Sequence, residues 1–82
     1  MIWKKKIDID QINKMSKGTL SESLGIKFTG FTDQTLTAEM PVDPRTFQPA
    51  GILHGGASVA LAETMGSVGS FLSLDSASEV AV

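Results

Sequence analysis

The chain has 82 residues, room for one small domain. Its formal net charge of −2 argues against a nucleic-acid surface, which is ordinarily basic, and its lack of cysteine excludes disulfides and thiolate chemistry. With a single histidine and no carboxylate three or four residues from it, a metal site is not expected.

The N-terminus, MIWKKKIDID, is basic but lacks the apolar run and cleavage site of a secretory signal, so the cytoplasm is the expected compartment. Residues 8–17, DIDQINKMSK, are expected to form a short amphipathic helix. Asp8 or Asp10 can cap it, Ile9, Ile12 and Met15 approximate one face, and Gly18 offers a stop. LSESLG can add a further turn. IKFTGFT and TLTAEMPV then alternate apolar with polar residues around Asp33-Gln34, the pattern of a hairpin. Ile26, Phe28 and Phe31 are assigned to one side of the first strand, and Leu36, Ala38 and Met40 to one side of the second. Gly30 marks a candidate bulge. Pro41, Pro44 and Pro49 keep VDPRTFQPAG out of regular helix. A long helix is expected over residues 55–72, then a turn at DSASE and the start of a strand at VAV.

Residues 57–74 match a membrane span in length, but Glu63 at the centre, two glycines and four serines oppose that reading. Leu61, Met65, Val68 and Leu72 recur at spacings of four, three and four, the stripe expected to lie on a sheet. Ser58, Ala62, Gly66, Gly69 and Ser70 form a second face of small residues, where a backbone or ligand can approach closely. A helix apolar almost all round must be enclosed, and so few strands cannot enclose it. Either a partner chain supplies the cover or the chain is the front part of a longer protein.

Between Thr46 and Leu74 the only ionisable side chains are His54 and Glu63. Glu63, one turn from Ser67, is either an ordinary exposed glutamate or a partly buried carboxylate suited to act as base or nucleophile. His54-Gly55-Gly56 is either a glycine-rich helix start capped by histidine, or a site where the unpaired first amides polarise a carbonyl oxygen. Gly55 and Glu63 lie eight residues apart, roughly 12 Å along the helix axis. One helix therefore cannot bring both to one carbonyl, whereas two antiparallel copies in a two-fold dimer can.

The segment MPVDPRTFQPAGILHGGASVALAETMGS resembles the core motif of the hotdog-fold acyl-CoA thioesterases. Within them it is most similar to the bacterial PaaI-like group that includes 1,4-dihydroxy-2-naphthoyl-CoA thioesterase of menaquinone synthesis. The phenylacetate-pathway and enterobactin-pathway enzymes are relatives in that group. The resemblance runs from MIWKKK to SEVAV. It implies an α+β hotdog fold, a long central helix wrapped by a curved antiparallel sheet, here incomplete at the C-terminus. Residues 1–82 would be the N-terminal part of a single domain. It also implies a homodimer or dimer of dimers and an acyl-CoA substrate, with no nucleic acid or membrane partner.

By this resemblance Glu63 serves as nucleophile or general base on the thioester carbonyl, and the Gly55 amide polarises its oxygen. His54 and Gln48 support that end of the site, and Ser67 helps hold the attacking water or the glutamate. Glu63 and Gly55 of one site come from different subunits. Two departures stand out. Ala50 replaces an expected aromatic residue, which implies a wider acyl pocket, and the three strands that would follow VAV are absent. The expected activity is hydrolysis of an aromatic or medium acyl-CoA to the acid and CoA, without a cofactor. The alternatives are a non-catalytic hotdog fragment that keeps the helix and dimer surface, and another hotdog enzyme such as a hydratase. Thiol release from acyl-CoA, or water addition to an enoyl-CoA, separates them.

Overall fold

A computed structural model describes residues 2–74. The expected turn at DSASE and strand at VAV lie outside the described residues. The elements are α1 (Ile9–Met15), α2 (Leu20–Leu24), β1 (Lys27–Phe31), β2 (Leu36–Glu39) and α3 (Gly55–Leu72), an α+β arrangement with an antiparallel hairpin and one long helix.

Asp8 caps α1 through the Gln11 amide, and Ile12 is its buried residue. Met15 departs from the expected apolar face: it is the last residue of the helix and is 63% exposed. Gly18 lies beyond the helix in a left-handed turn (φ 78°) rather than at the cap, which is Ser16. LSESLG does form a helical turn, closed by Gly25 at φ 76°. The left-handed conformation at Gly25 favours glycine, and an added Cβ would also stand 2.9 Å from the Pro41 ring.

In the hairpin Lys27 pairs with Glu39 and Phe28 with Ala38; a bulge between Phe28 and Gly30 then sets Gly30 against Thr37 and Phe31 against Leu36. The turn is closed by the Thr32 amide on the Thr35 carbonyl and by the Thr32 hydroxyl, which accepts the Gln34 and Thr35 amides. Ile26 and Phe28 are buried as expected, but Phe31, beyond the bulge and near the turn, is 42% exposed. The outer edge of β1 is satisfied by a side chain. Asn13 donates from Nδ2 to the Phe28 carbonyl (2.9 Å) and accepts the Phe28 amide at Oδ1 (2.8 Å), taking the place of a neighbouring strand. Asn13→Ala would leave both groups unpaired in a part-buried setting and is expected to cost about 1–3 kcal/mol in chemical denaturation.

The α3 bounds agree with the expected ones, and the helix passes Gly66 without a break. Trp3, Ile12, Phe28 and Leu72 make the core, with Met65, Val68, Leu36 and Ala38 packed against it. Leu61, expected in the same stripe, is half-buried and outside that cluster. The N-terminal segment locks the two ends together. Trp3 Nε1 donates to the Thr32 carbonyl (2.6 Å), and the Lys4 amide and the Lys5 ammonium bond carbonyls at the end of α3, where a cation suits the helix dipole. No helix of the structure among the described residues is long and apolar enough to cross a membrane.

Candidate active site

The segment between β2 and α3 is built around Thr46. Its amide donates to the Asp43 carbonyl, and its carbonyl accepts the His54 amide at 2.7 Å. Phe47 bridges to Leu53, and the Gln48 amide donates to the Ile52 carbonyl, so residues 46–54 form a small antiparallel loop. This loop places Gln48 and His54 on one unit. Gln48 Oε1 accepts the Ala50 amide (2.6 Å), folding the side chain back onto its own turn. Beside it, Arg45 grips Asp43 with a guanidinium–carboxylate contact of 2.7 Å, and that hydrogen bonding holds the Asp43 carboxyl below its ordinary range. Both side chains are solvated, so the pair shapes the loop more than it stabilises the fold.

His54 is the N-cap of α3. Its extended backbone (φ −71°, ψ 126°) precedes the first helical residue, and its Nδ1 accepts the Gly56 amide at 2.8 Å. His54 is thus a cap, as one reading of the sequence had it, and this cap occupies the Gly56 amide rather than the Gly55 amide. The cap leaves the Gly55 amide without an acceptor among the described residues, at the positive end of an 18-residue helix. A Cβ at Gly55 would meet nothing within 4 Å, whereas one at Gly56 would stand 2.9 Å from the His54 ring. Gly56→Ala is expected to turn the imidazole out of its cap. The helix propensity gained and the cap lost are each about 1 kcal/mol, so the melting point should move little while the His54 ring resonances shift.

Glu63 lies two turns along α3. The partial burial considered for it is not supplied by the described residues: Glu63 is exposed. The side chain is nevertheless tethered, since Ser67 Oγ donates to Glu63 Oε1 at 3.1 Å. The small face beside it is open, and added Cβ atoms at Gly66 and Gly69 would meet nothing within 4 Å. Val59 on the same side is 69% exposed.

The structure thus gathers the site residues into two groups. Gln48, His54 and Gly55 stand at the start of α3, and Glu63 and Ser67 stand two turns on. Within one chain the groups remain roughly 12 Å apart along the axis. A cleft of about 240 Å³ opens beside the first group, lined by Leu20, Phe47, His54, Ala57 and Ala60 among others. Neither this cleft nor the role of Thr46 was anticipated. The cleft depends on how α2 leans on α3, a contact that includes Ser21 and Thr64 hydroxyls 3.4 Å apart. Thr46, three residues after Asp43 in a proline-flanked loop, carried a turn signal that could have been read.

No family model matches the chain. Over 74 residues it is 51% identical to PA1618 of Pseudomonas aeruginosa, a protein described as an esterase; the match takes in 90% of the chain and 51% of that protein. Over 72 residues it is 56% identical to the proofreading thioesterase EntH of Cronobacter turicensis, covering 88% of the chain and 53% of the relative. The chain therefore spans about half the length of the curated relatives it matches. The crystal structure of a mutant of thioesterase PA1618 superposes with a TM-score of 0.89 at 49% identity, over 92% of this chain and 54% of that one. That of thioesterase HI1161 from Haemophilus influenzae gives 0.88 at 45% identity, over 92% and 52%. The hairpin and long helix are thus shared with about half the length of known thioesterase structures and are compatible with a hotdog fold, and the relatives are enzymes of thioester hydrolysis by name.

Proposed function

We propose that this chain forms part of a thioesterase that hydrolyses acyl-CoA at a site shared between two subunits. The observation that carries the reading is the pairing of a tethered, water-accessible carboxylate, Glu63, with an unpaired helix-start amide, Gly55, on one helix but out of reach of each other. In a two-fold dimer with antiparallel α3 helices, Glu63 would face the Gly55 of the partner subunit. The thioester oxygen would accept that amide, which stabilises the negative charge developing as the carbonyl carbon becomes tetrahedral. The carboxylate then either attacks that carbon, giving an acyl-enzyme anhydride that water opens, or takes a proton from the water that attacks. In either case the C–S bond breaks and the thiolate leaves as CoA after protonation. Ser67 would hold the carboxylate in the attacking orientation, and Gln48 and His54 would shape the amide end.

An aromatic or medium acyl group suits the mainly apolar cleft beside His54, and 1,4-dihydroxy-2-naphthoyl-CoA is the candidate to test first. A homodimer or dimer of dimers, working in the cytoplasm on an acyl-CoA, completes the reading. Its test is a thiol-release assay of the full gene product against benzoyl-, 1,4-dihydroxy-2-naphthoyl-, hexanoyl- and palmitoyl-CoA. Turnover should be highest with the aromatic and medium substrates. Thiol release from none of them would sink the proposal.

A further inference from the structure

One polar side chain beside this site is fully buried and has no part in the chemistry above. Thr46 is 1% exposed. Its hydroxyl donates to the Pro41 carbonyl at 2.8 Å, with the Asp43 carbonyl at 3.2 Å, and accepts the Asp43 amide at 3.2 Å. Its own amide donates to the Asp43 carbonyl at 2.8 Å, and its carbonyl accepts the His54 amide at 2.7 Å. One residue therefore couples the turn after β2 to the N-cap of α3. Nδ1 of His54 accepts the Gly56 amide, so it carries no proton, and the neutral ring must bear its hydrogen on Nε2.

We propose that Thr46 is a positioning residue for the helix-start half of the site: its hydroxyl fixes the turn after β2, its carbonyl holds the His54 amide, and together they keep His54 in place as the cap of α3, with Nδ1 on the Gly56 amide. The hydroxyl is the decisive group. Valine would fill the same volume, but it would leave the Asp43 amide and the Pro41 carbonyl without their partner and release the turn. The value of this placement for catalysis rests on the proposed thioesterase function; the placement itself does not.

The test compares Thr46→Val and Thr46→Ser with the parent in the full gene product, reading the nitrogen resonances of the His54 ring together with kcat and KM. Thr46→Val should turn a single Nε2–H tautomer into a mixture and lower kcat about ten-fold or more with KM little changed, since the groups move rather than disappear. Thr46→Ser, which keeps the hydroxyl, should restore both. An unchanged His54 tautomer in Thr46→Val overturns the proposal. So does a lost tautomer with kcat within about two-fold of the parent. If Thr46→Val does not fold, amide exchange in the parent decides: the Asp43 and His54 amides should be protected together, and exchange of either at the rate of a free loop overturns the proposal. A parent that releases no thiol refutes the proposed function and leaves the tautomer and exchange readings to decide the role of Thr46.

Discussion

Glu63→Gln is expected to lower thioester hydrolysis by about two to four orders of magnitude while leaving the fold unchanged. The side chain is exposed and its one hydrogen-bond partner among the described residues is Ser67, whose hydroxyl can still donate to the amide oxygen of glutamine. Substitution at such a position ordinarily changes stability by no more than about 0.5 kcal/mol. The chemistry is affected differently. An amide oxygen carries no full negative charge, so it is a poor nucleophile and cannot hold a proton taken from water. The loss should appear in kcat, because in the proposed mechanism the carboxylate works on the reacting carbon rather than on the bulk of the CoA. Rates of thiol release and far-ultraviolet dichroism, measured on the same preparation, separate the two effects. Turnover within a few-fold of the parent would make Glu63 a solvent-facing helix residue. Ser67→Ala, which removes the tether and not the charge, should reduce the rate by a smaller factor.

The parts of the fold that were legible in the sequence are those set by neighbours in the chain. The bounds of α3 follow from a glycine pair after His54 and an unbroken apolar spacing to Leu72, and the bulge follows from Gly30 inside an alternating strand. The parts that were not legible depend on contacts between distant segments. Nothing local to Asn13 announces that it will pair with Phe28, and nothing local to Trp3 or Lys5 announces that they will bind the hairpin turn and the end of α3. Met15 and Phe31 were placed on apolar faces by periodicity, which does not register where a helix ends or what a bulge does to the residues after it. The candidate site divides in the same way. The cap at His54 and the Ser67–Glu63 bond are local, at spacings of two and four residues. The environment of Glu63 is not local. The described chain leaves Glu63 in solvent, so any burial must come from elsewhere, and a second subunit is the source that the proposed mechanism requires.

That requirement can be tested by mixing two inactive variants of the full gene product. Gly55→Pro is a clean way to delete the amide. Gly55 is the first helical residue, where proline is well tolerated, and His54 already has the extended backbone that a following proline demands. A Cβ at Gly55 also meets nothing within 4 Å among the described residues beyond its chain neighbours. The variant should therefore keep α3 and lose only the N–H donor. Glu63→Gln supplies the complementary defect. If Glu63 of one subunit works with Gly55 of the other, a mixed dimer contains one site with both defects and one with neither. Homodimers of each variant have a defect in every site. After exchange to a statistical mixture, about half of the dimers are mixed, each with one sound site, so activity should return to about a quarter of the parental value. Subunit exchange must be followed independently, for example by mass spectrometry of isotopically labelled dimers. Return of activity in proportion to the mixed dimer establishes a site shared across the interface. Full exchange without activity would mean that Glu63 works with donors of its own chain, and the roughly 12 Å between it and Gly55 would then exclude that amide from the reaction.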